Sequence, residues 1–531
     1  MRFPRLLSLA CLAAGMFLTL AVTTHPASAA NLRWAADGDA GAMDPYTRQE
    51  TIQLALLSNI YEPLARRNRT LALEPALALS WEQTGPSTWR FHLRPNVKWH
   101  DGSAFTSADV VFSVGRTLAK TSAMRAPLST VKAVRAIDDM TVEFDTNKPD
   151  PIFPQEQTSF LIMSKAWCEA HNSVEAVQIG GKDDNFAVRN AMGTGPFRLV
   201  SREPDSKTVT ERNPNWWDTP EHNLDRVEFH VISSAATRVA ALLSGEMDMI
   251  YSVPPQDMAR ISRAQELRVI QNPELRTIFL GLGVSRDELL ASDVKGKNPL
   301  KDPRVREAIA LSIDAPMIVQ RVMNGLGHPT SMLWGPGVNG YDPALDVPAK
   351  PDPARAKQLL AEAGYPNGFS IGFDCPNDRY VMDEQICMAI TAMLTRAGIN
   401  ATPSVYPKAR YFAKILAPKY DTDLYLLGWT PGTYDAHNVL LTLLGNRSGG
   451  RGEGNVGGYS NPAMDTLIDK IGNESDPAKR YAMINEAVAI VKHDRPLIPL
   501  HQQVIVWAAK KGIELTQPAD NYFLYRFVTV K

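Results

Sequence analysis

Two short stretches gather residue types able to hold a small molecule. Asp378-Arg379-Tyr380 follows a predicted strand end, and strand ends in open α/β sheets face the crevice where ligands bind. The Arg379 guanidinium is suited either to a bidentate pair with a ligand carboxylate or to an internal salt bridge. The second stretch, Gly428-Trp429-Thr430-Pro431-Gly432-Thr433-Tyr434-Asp435-Ala436-His437-Asn438, ends a predicted buried strand. Trp429 is either an apolar wall or a core residue, and Asp435 and His437 add charge and hydrogen bonds. One histidine does not hold a metal tightly, and no second ligand stands at fixed spacing from His437. No metal and no cofactor is expected.

Catalytic signatures are sparse. No H-E-x-x-H occurs, and no G-x-S-x-G nucleophile elbow is expected, so no catalytic residues are assigned. A secreted hydrolase is the rival class. Met192-Gly193-Thr194-Gly195-Pro196-Phe197 lacks the third glycine of a dinucleotide loop and is not followed by a helical pattern.

These stretches must be positioned by an α/β framework. Trp89, Phe91 and Leu93 alternate with Arg90, His92 and Arg94, the pattern of a half-buried strand. Pro95-Asn96 turns the chain, Val97 to His100 runs back, and Thr106 with Asp109 has capping-box spacing ahead of a helix. Thr51 to Leu64 has helical periodicity throughout. From Pro299 onward, strands alternate with capped helices: Asp302-Pro303, Asp314 and Asp352-Pro353 open three, and Asp383 to Ala397 is a further one. Strands are expected at Ile371–Phe373, Thr402–Val405 and Asp423–Gly428, and Val504 to Lys531 is strand-like. Gly445 to Gly458 holds seven glycines in fourteen positions and is expected as a mobile loop near the cleft or as a solvated surface loop.

Composition excludes several classes. Arg2 and Arg5, the apolar run Leu6 to Val22 and the small residues Pro26 to Ala30 form a secretory signal peptide, 1–30, with an uncleaved anchor as the alternative. That segment holds two arginines and no acid, so 56 basic and 57 acidic residues become 54 and 57, a formal charge of −3. Such a balance is no footprint for nucleic acid or an anionic membrane. About 500 residues suggest two to four domains. Cys168, Cys375 and Cys387 remain after cleavage; Cys375 and Cys387 pair, or all three are buried thiols.

The run Phe91 to Ser113, FHLRPNVKWHDGSAFTSADVVFS, closely resembles the signature of the family 5 extracytoplasmic solute-binding proteins, the oligopeptide, dipeptide and nickel receptors of ABC importers. Gly193–Phe197, Arg212–Trp217 and the Gly-Glu-Met-Asp run at Gly245–Asp248 resemble further landmarks, as does the loop from Asp37 to Asp44-Pro45 that borders the ligand. The resemblance implies an α/β periplasmic-binding-protein type II fold: two lobes with a hinge, and an extra subdomain in the N-terminal lobe. The first lobe would comprise 31–62, 197–278 and 503–531, the inserted subdomain 63–196 and the second lobe 279–502. It also implies a monomeric periplasmic receptor that passes a peptide or peptide-like ligand to permease subunits, without catalysis or nucleic acid. Opines or other amino-acid conjugates, oligosaccharides and nickel chelates are the alternative ligands.

Asp378-Arg379-Tyr380 resembles the family's N-x-R-Y motif, which places Arg379 against a ligand carboxylate. Trp429 corresponds to a tryptophan flanking the pocket, beside Thr430. The aspartate that holds a peptide's α-amino group, three residues beyond that tryptophan, is replaced by Gly432. Asp435 is the available substitute. Tyr434-Asp435-Ala436-His437 resembles the Tyr-Asp-Pro-His of nickel receptors, which would put His437 near the ligand.

Overall fold

The computed structural model describes residues 30–48, 50–177 and 184–531. The expected signal peptide therefore lies outside the described residues, apart from Ala30. One sheet of eleven strands runs through the molecule. Its two longest strands, Leu267–Leu282 and Leu497–Lys510, pair antiparallel at its centre. On one side lie Met249–Tyr251, Ala30–Ala36 and Leu224–Val231, with parallel pairing to Ala30–Ala36 from both neighbours. On the other lie Leu424–Trp429, Phe369–Pro376 and Ile399–Tyr406, again with parallel pairs. Parallel neighbours need crossovers, and the helices Ala235–Ser244 and Asp383–Ala397 supply two of them.

Near the middle of the central pair the ladder breaks. Pro273 faces Val504 and Thr277 faces Gln502, so Glu274, Leu275 and Arg276 stand opposite Gln503 alone. A bulge of this kind bends the strand and re-aims its side chains. Glu274 is pinned there, accepting from Gln503 Nε2 and Asn521 Nδ2, each at 2.7 Å.

A separate antiparallel sheet joins Ala78–Gly85, Thr88–Leu93, Thr141–Thr146 and Val131–Asp138. The alternation holds: Phe91 packs edge-on against Phe144 and Phe153 inside, while Arg90 pairs with Glu143 at 2.7 Å on the other face. Val97 to His100 does not return as a strand; Lys98 makes one isolated bridge to Ala104. Thr106 N–H donates to Asp109 at 3.0 Å, and the helix Ser107–Leu118 follows. Its Arg116 forms a fully buried pair with Asp44, Nη1 to Oδ1 at 2.8 Å, which anchors the Asp37–Pro45 loop.

Two other expectations change, and one open alternative is decided. The helix expected over Thr51–Leu64 stops at Leu57, because the Asn59 amide donates to the carbonyls of Ala55 and Leu56 and the residue before Pro63 is held away from helical geometry. After Lys510 the C-terminal segment forms only the short pair Ile513–Glu514 with Thr529–Val530; Phe523 and Tyr525 pack around Trp34 instead. Cys375 and Cys387 form a disulfide, which decides between the two alternatives, and Cys168 is free and buried.

Candidate functional site

The sheet bulge and the loop after Leu424–Trp429 face two adjoining cavities of about 770 and 460 Å³. Thr430, Asp520, Glu50 and Thr51 line both and form the wall between them.

Trp429 lines the larger cavity, its indole N–H fixed on Asn438 Oδ1 at 3.0 Å. Gly428 before it has a steric reason: a Cβ there would lie 2.6 Å from Ile278 Cδ1 and 2.9 Å from the Tyr380 ring. Without one, the Gly428 N–H donates to the Tyr380 hydroxyl at 2.9 Å, tying the two sequence stretches together. Gly432 also lines this cavity, and an added Cβ would meet nothing within 4 Å. Opposite, Glu62 accepts from Trp216 Nε1, Trp217 Nε1 and Thr194 Oγ1. Burial nonetheless pushes its carboxyl above the ordinary range.

Arg379 lines the smaller cavity with Arg276, Lys408 and Glu274. Its loop is shaped by Asp383, which accepts the Arg379 and Tyr380 N–H groups at 2.9 and 3.0 Å. The disulfide spans this loop, from the strand before it to the helix after it. Thr430 Oγ1 accepts from Arg276 Nε at 3.1 Å. Burial pushes the Glu274 carboxyl upward, with Arg276 opposing.

Asp435 and His437 do not join them. Asp435 is fully buried, caps the short helix Ala436–Val439 and takes both Nη atoms of Arg480 at 2.7 Å. Its charge is already matched, so it does not replace the aspartate missing at Gly432. The His437 Nε2–H donates to the Ile468 carbonyl at 3.1 Å, and burial pulls its pKa to about 4, leaving it neutral near pH 7. Gly368-Phe369-Ser370-Ile371-Gly372 does have G-x-S-x-G spacing, contrary to expectation. Ser370 sits inside the strand Phe369–Pro376 and exchanges hydrogen bonds with Asp293, so it forms no nucleophile elbow.

The residue reading missed Arg67, Arg276 and Asp520, and named Tyr434 only as part of the stretch Gly428–Asn438. Tyr434 has φ 57°, a costly conformation for a bulky side chain. Its ring lies under the Arg67 guanidinium at 4.3 Å, and its hydroxyl donates to Asp520 at 2.8 Å. The run Arg66-Arg67-Asn68-Arg69 was the available signal. The glycine-rich segment also contributes, through Glu453 and Gly454; it is held by Asn455 Nδ2 on the carbonyls of Gly445 and Tyr459 and by Arg447 on the Asn455 carbonyl.

A paired cavity walled by aromatics and by guanidinium groups, of which Arg67 and Arg379 make no ion pair among the described residues, suits the binding of a small solute. The chain belongs to the bacterial extracellular solute-binding proteins, family 5, whose model matches residues 72–451. It is 28% identical to the heme-binding protein A of Haemophilus influenzae, over 81% of this chain and 79% of that one. It is 24% identical to a glutathione-binding protein of Pectobacterium atrosepticum, over 89% and 88%. Among solved structures, HbpA2 from Haemophilus parasuis superposes with TM-score 0.80 at 23% identity, covering 94% of this chain and all of that one. The fold is the two-lobed type II periplasmic-binding-protein fold.

Proposed function

We propose that this chain is the periplasmic receptor of an ABC importer, capturing a peptide or peptide-like solute between its lobes and delivering it unchanged to permease subunits. In this reading residues 1–30 are cleaved on export, the mature protein works as a monomer, and no bond of the solute is made or broken. The observation that carries it is the larger cavity, lined by Trp429 and left open at Gly432. Trp429, Thr430 and the Gly432 backbone would bind the body of the solute, and Arg379 its carboxylate. Closure would bend at the Glu274–Arg276 bulge, with 31–62, 197–278 and 503–531 as one lobe, 279–502 as the other and 63–196 as the inserted subdomain.

Mass spectrometry of the material released on denaturing protein purified from the periplasm tests this. Intact short peptides or amino-acid conjugates near one per protein support the reading. Hydrolysed fragments that accumulate with time, or an empty protein that also binds none of a peptide library, would overturn it.

A further inference from the structure

Three arginines on one stretch of wall reach the larger cavity, and they differ in one respect. Arg66 is paired with Glu74 at 2.7 Å and also with Asp218. Arg526 donates to Glu74 and to the Arg67 carbonyl. Arg67 has no carboxylate within ion-pair reach among the described residues: its Nη1 donates to the Leu71 carbonyl at 3.1 Å, while Nε and Nη2 are buried without an acceptor. The Tyr434 ring below does not answer this need. A cation–π contact uses the flat face of the guanidinium, whereas its N–H groups lie in the plane and require acceptors at the edge. Asp520 is committed too, accepting from the Tyr434 hydroxyl and the Tyr522 N–H.

Across the shared wall, the Arg379 guanidinium likewise makes no ion pair among the described residues, and Arg276 beside it has only a 3.7 Å approach to Glu274. Burial lowers the pKa of both Arg67 and Arg379, so each pays for its charge in an unmatched site. Two unmatched guanidinium groups, one per adjoining cavity, call for two anionic groups on one molecule.

We propose that Arg67 is a second anion-holding subsite, so that the captured solute carries at least two acid groups, one at Arg67 and one at Arg379. This deepens the receptor reading and rests on it. Nε and Nη2 of Arg67 are two parallel donors that a planar carboxylate matches; both are sealed in this conformation, so the guanidinium must swing into the cavity it lines to meet one. The neutral-sugar class is disfavoured, and peptides with an acidic side chain or a second free carboxylate are favoured.

Calorimetric titration of the mature protein with Ala-Ala-Ala-amide, Ala-Ala-Ala and the three tripeptides carrying one Glu among alanines reads the acid count directly. At least one Glu peptide should bind tenfold or more tighter than Ala-Ala-Ala. Arg67→Gln should bring the ratio of Glu-peptide to Ala-Ala-Ala affinity down to about one, whatever it does to Ala-Ala-Ala binding itself, and Arg67→Lys should restore part of that ratio. Arg379→Gln should weaken every peptide with a free C-terminal carboxylate. Equal binding of Ala-Ala-Ala and all Glu peptides would overturn the second subsite and leave the receptor standing, as would an acid preference that survives Arg67→Gln. Binding of none of the five would overturn both. The wild-type comparison needs no variant, so a misfolded Arg67→Gln protein does not protect the proposal.

Discussion

Trp429 and Asp435 stand six positions apart and have opposite fates, because one is spent on the cavity and the other on the scaffold. Removing the Trp429 indole deletes a wall together with its hydrogen bond to Asn438 and its packing on the neighbouring core. Trp429→Ala should cost about 2 kcal/mol of binding, roughly 30-fold in Kd, and lower the melting temperature by less than Asp435→Asn does; titration with a released solute measures the first and calorimetry the second. Asp435→Asn should do the reverse. It strands the Arg480 guanidinium in a buried site, which costs about 3–5 kcal/mol of stability, and ligand affinity of the folded fraction should barely change. Sequence alone did not separate these two. Whether an aspartate faces a cavity or a distant arginine depends on which helix packs beside it, and Arg480 lies 45 residues downstream.

At the scale of elements, strand alternation and helix caps were readable because they are local. Phe91 and Leu93 turned inward, and Asp302, Asp314 and Asp352 do accept from their helices' first turns. What escaped were ends set by distant partners. Asn59 halts a periodic helix and also receives the Tyr525 N–H from the far C-terminus, a contact no local pattern encodes. The Cys375–Cys387 bridge is one of the two states that the sequence left open. It closes a short loop, and loop-closure entropy puts its stabilisation at about 3 kcal/mol. Cys375→Ser/Cys387→Ser should therefore lower stability in urea unfolding and weaken acidic peptides more than neutral ones. Equal weakening of both would detach the bridge from Arg379. On the long strand Leu497–Lys510, His501 is fully buried with neither ring nitrogen hydrogen-bonded, and its pKa falls to about 3. The unfolded chain takes up a proton near pH 6.5 that the native protein refuses. His501 therefore contributes stability above that pH, and the contribution is lost as pH drops toward 3. His501→Leu should lose less melting temperature between pH 7 and pH 4.5 than the parent; an identical acid limb would remove His501 from the account.

Over the whole molecule, contacts between distant segments meet at the cleft. Asn339 Nδ2 donates to Gln155 Oε1 at 2.7 Å, and Arg67 lies over Tyr434. On the receptor reading proposed above, the Asn339–Gln155 contact would hold a closed state without touching a solute, and contacts of that kind govern release more than capture. Asn339→Ala should speed solute dissociation a few-fold in stopped-flow measurements while the association rate stays put. The Phe91–Ser113 resemblance disclosed the fold because that unit is continuous in sequence. The cavity was disclosed only in part, since its wall is drawn from segments as far apart as 50–67, 274–276, 378–379, 408–417, 429–454 and 519–526. The disulfide beside Arg379 has a consequence in the life of the chain. A bond between thiols forms where the surroundings oxidise them and not in a reducing cytoplasm, so on the receptor reading proposed above a newly made copy awaiting export would have its Arg379 loop held by the Asp383 hydrogen bonds without the covalent tie. The Arg379 subsite would then be completed only outside the compartment that made it.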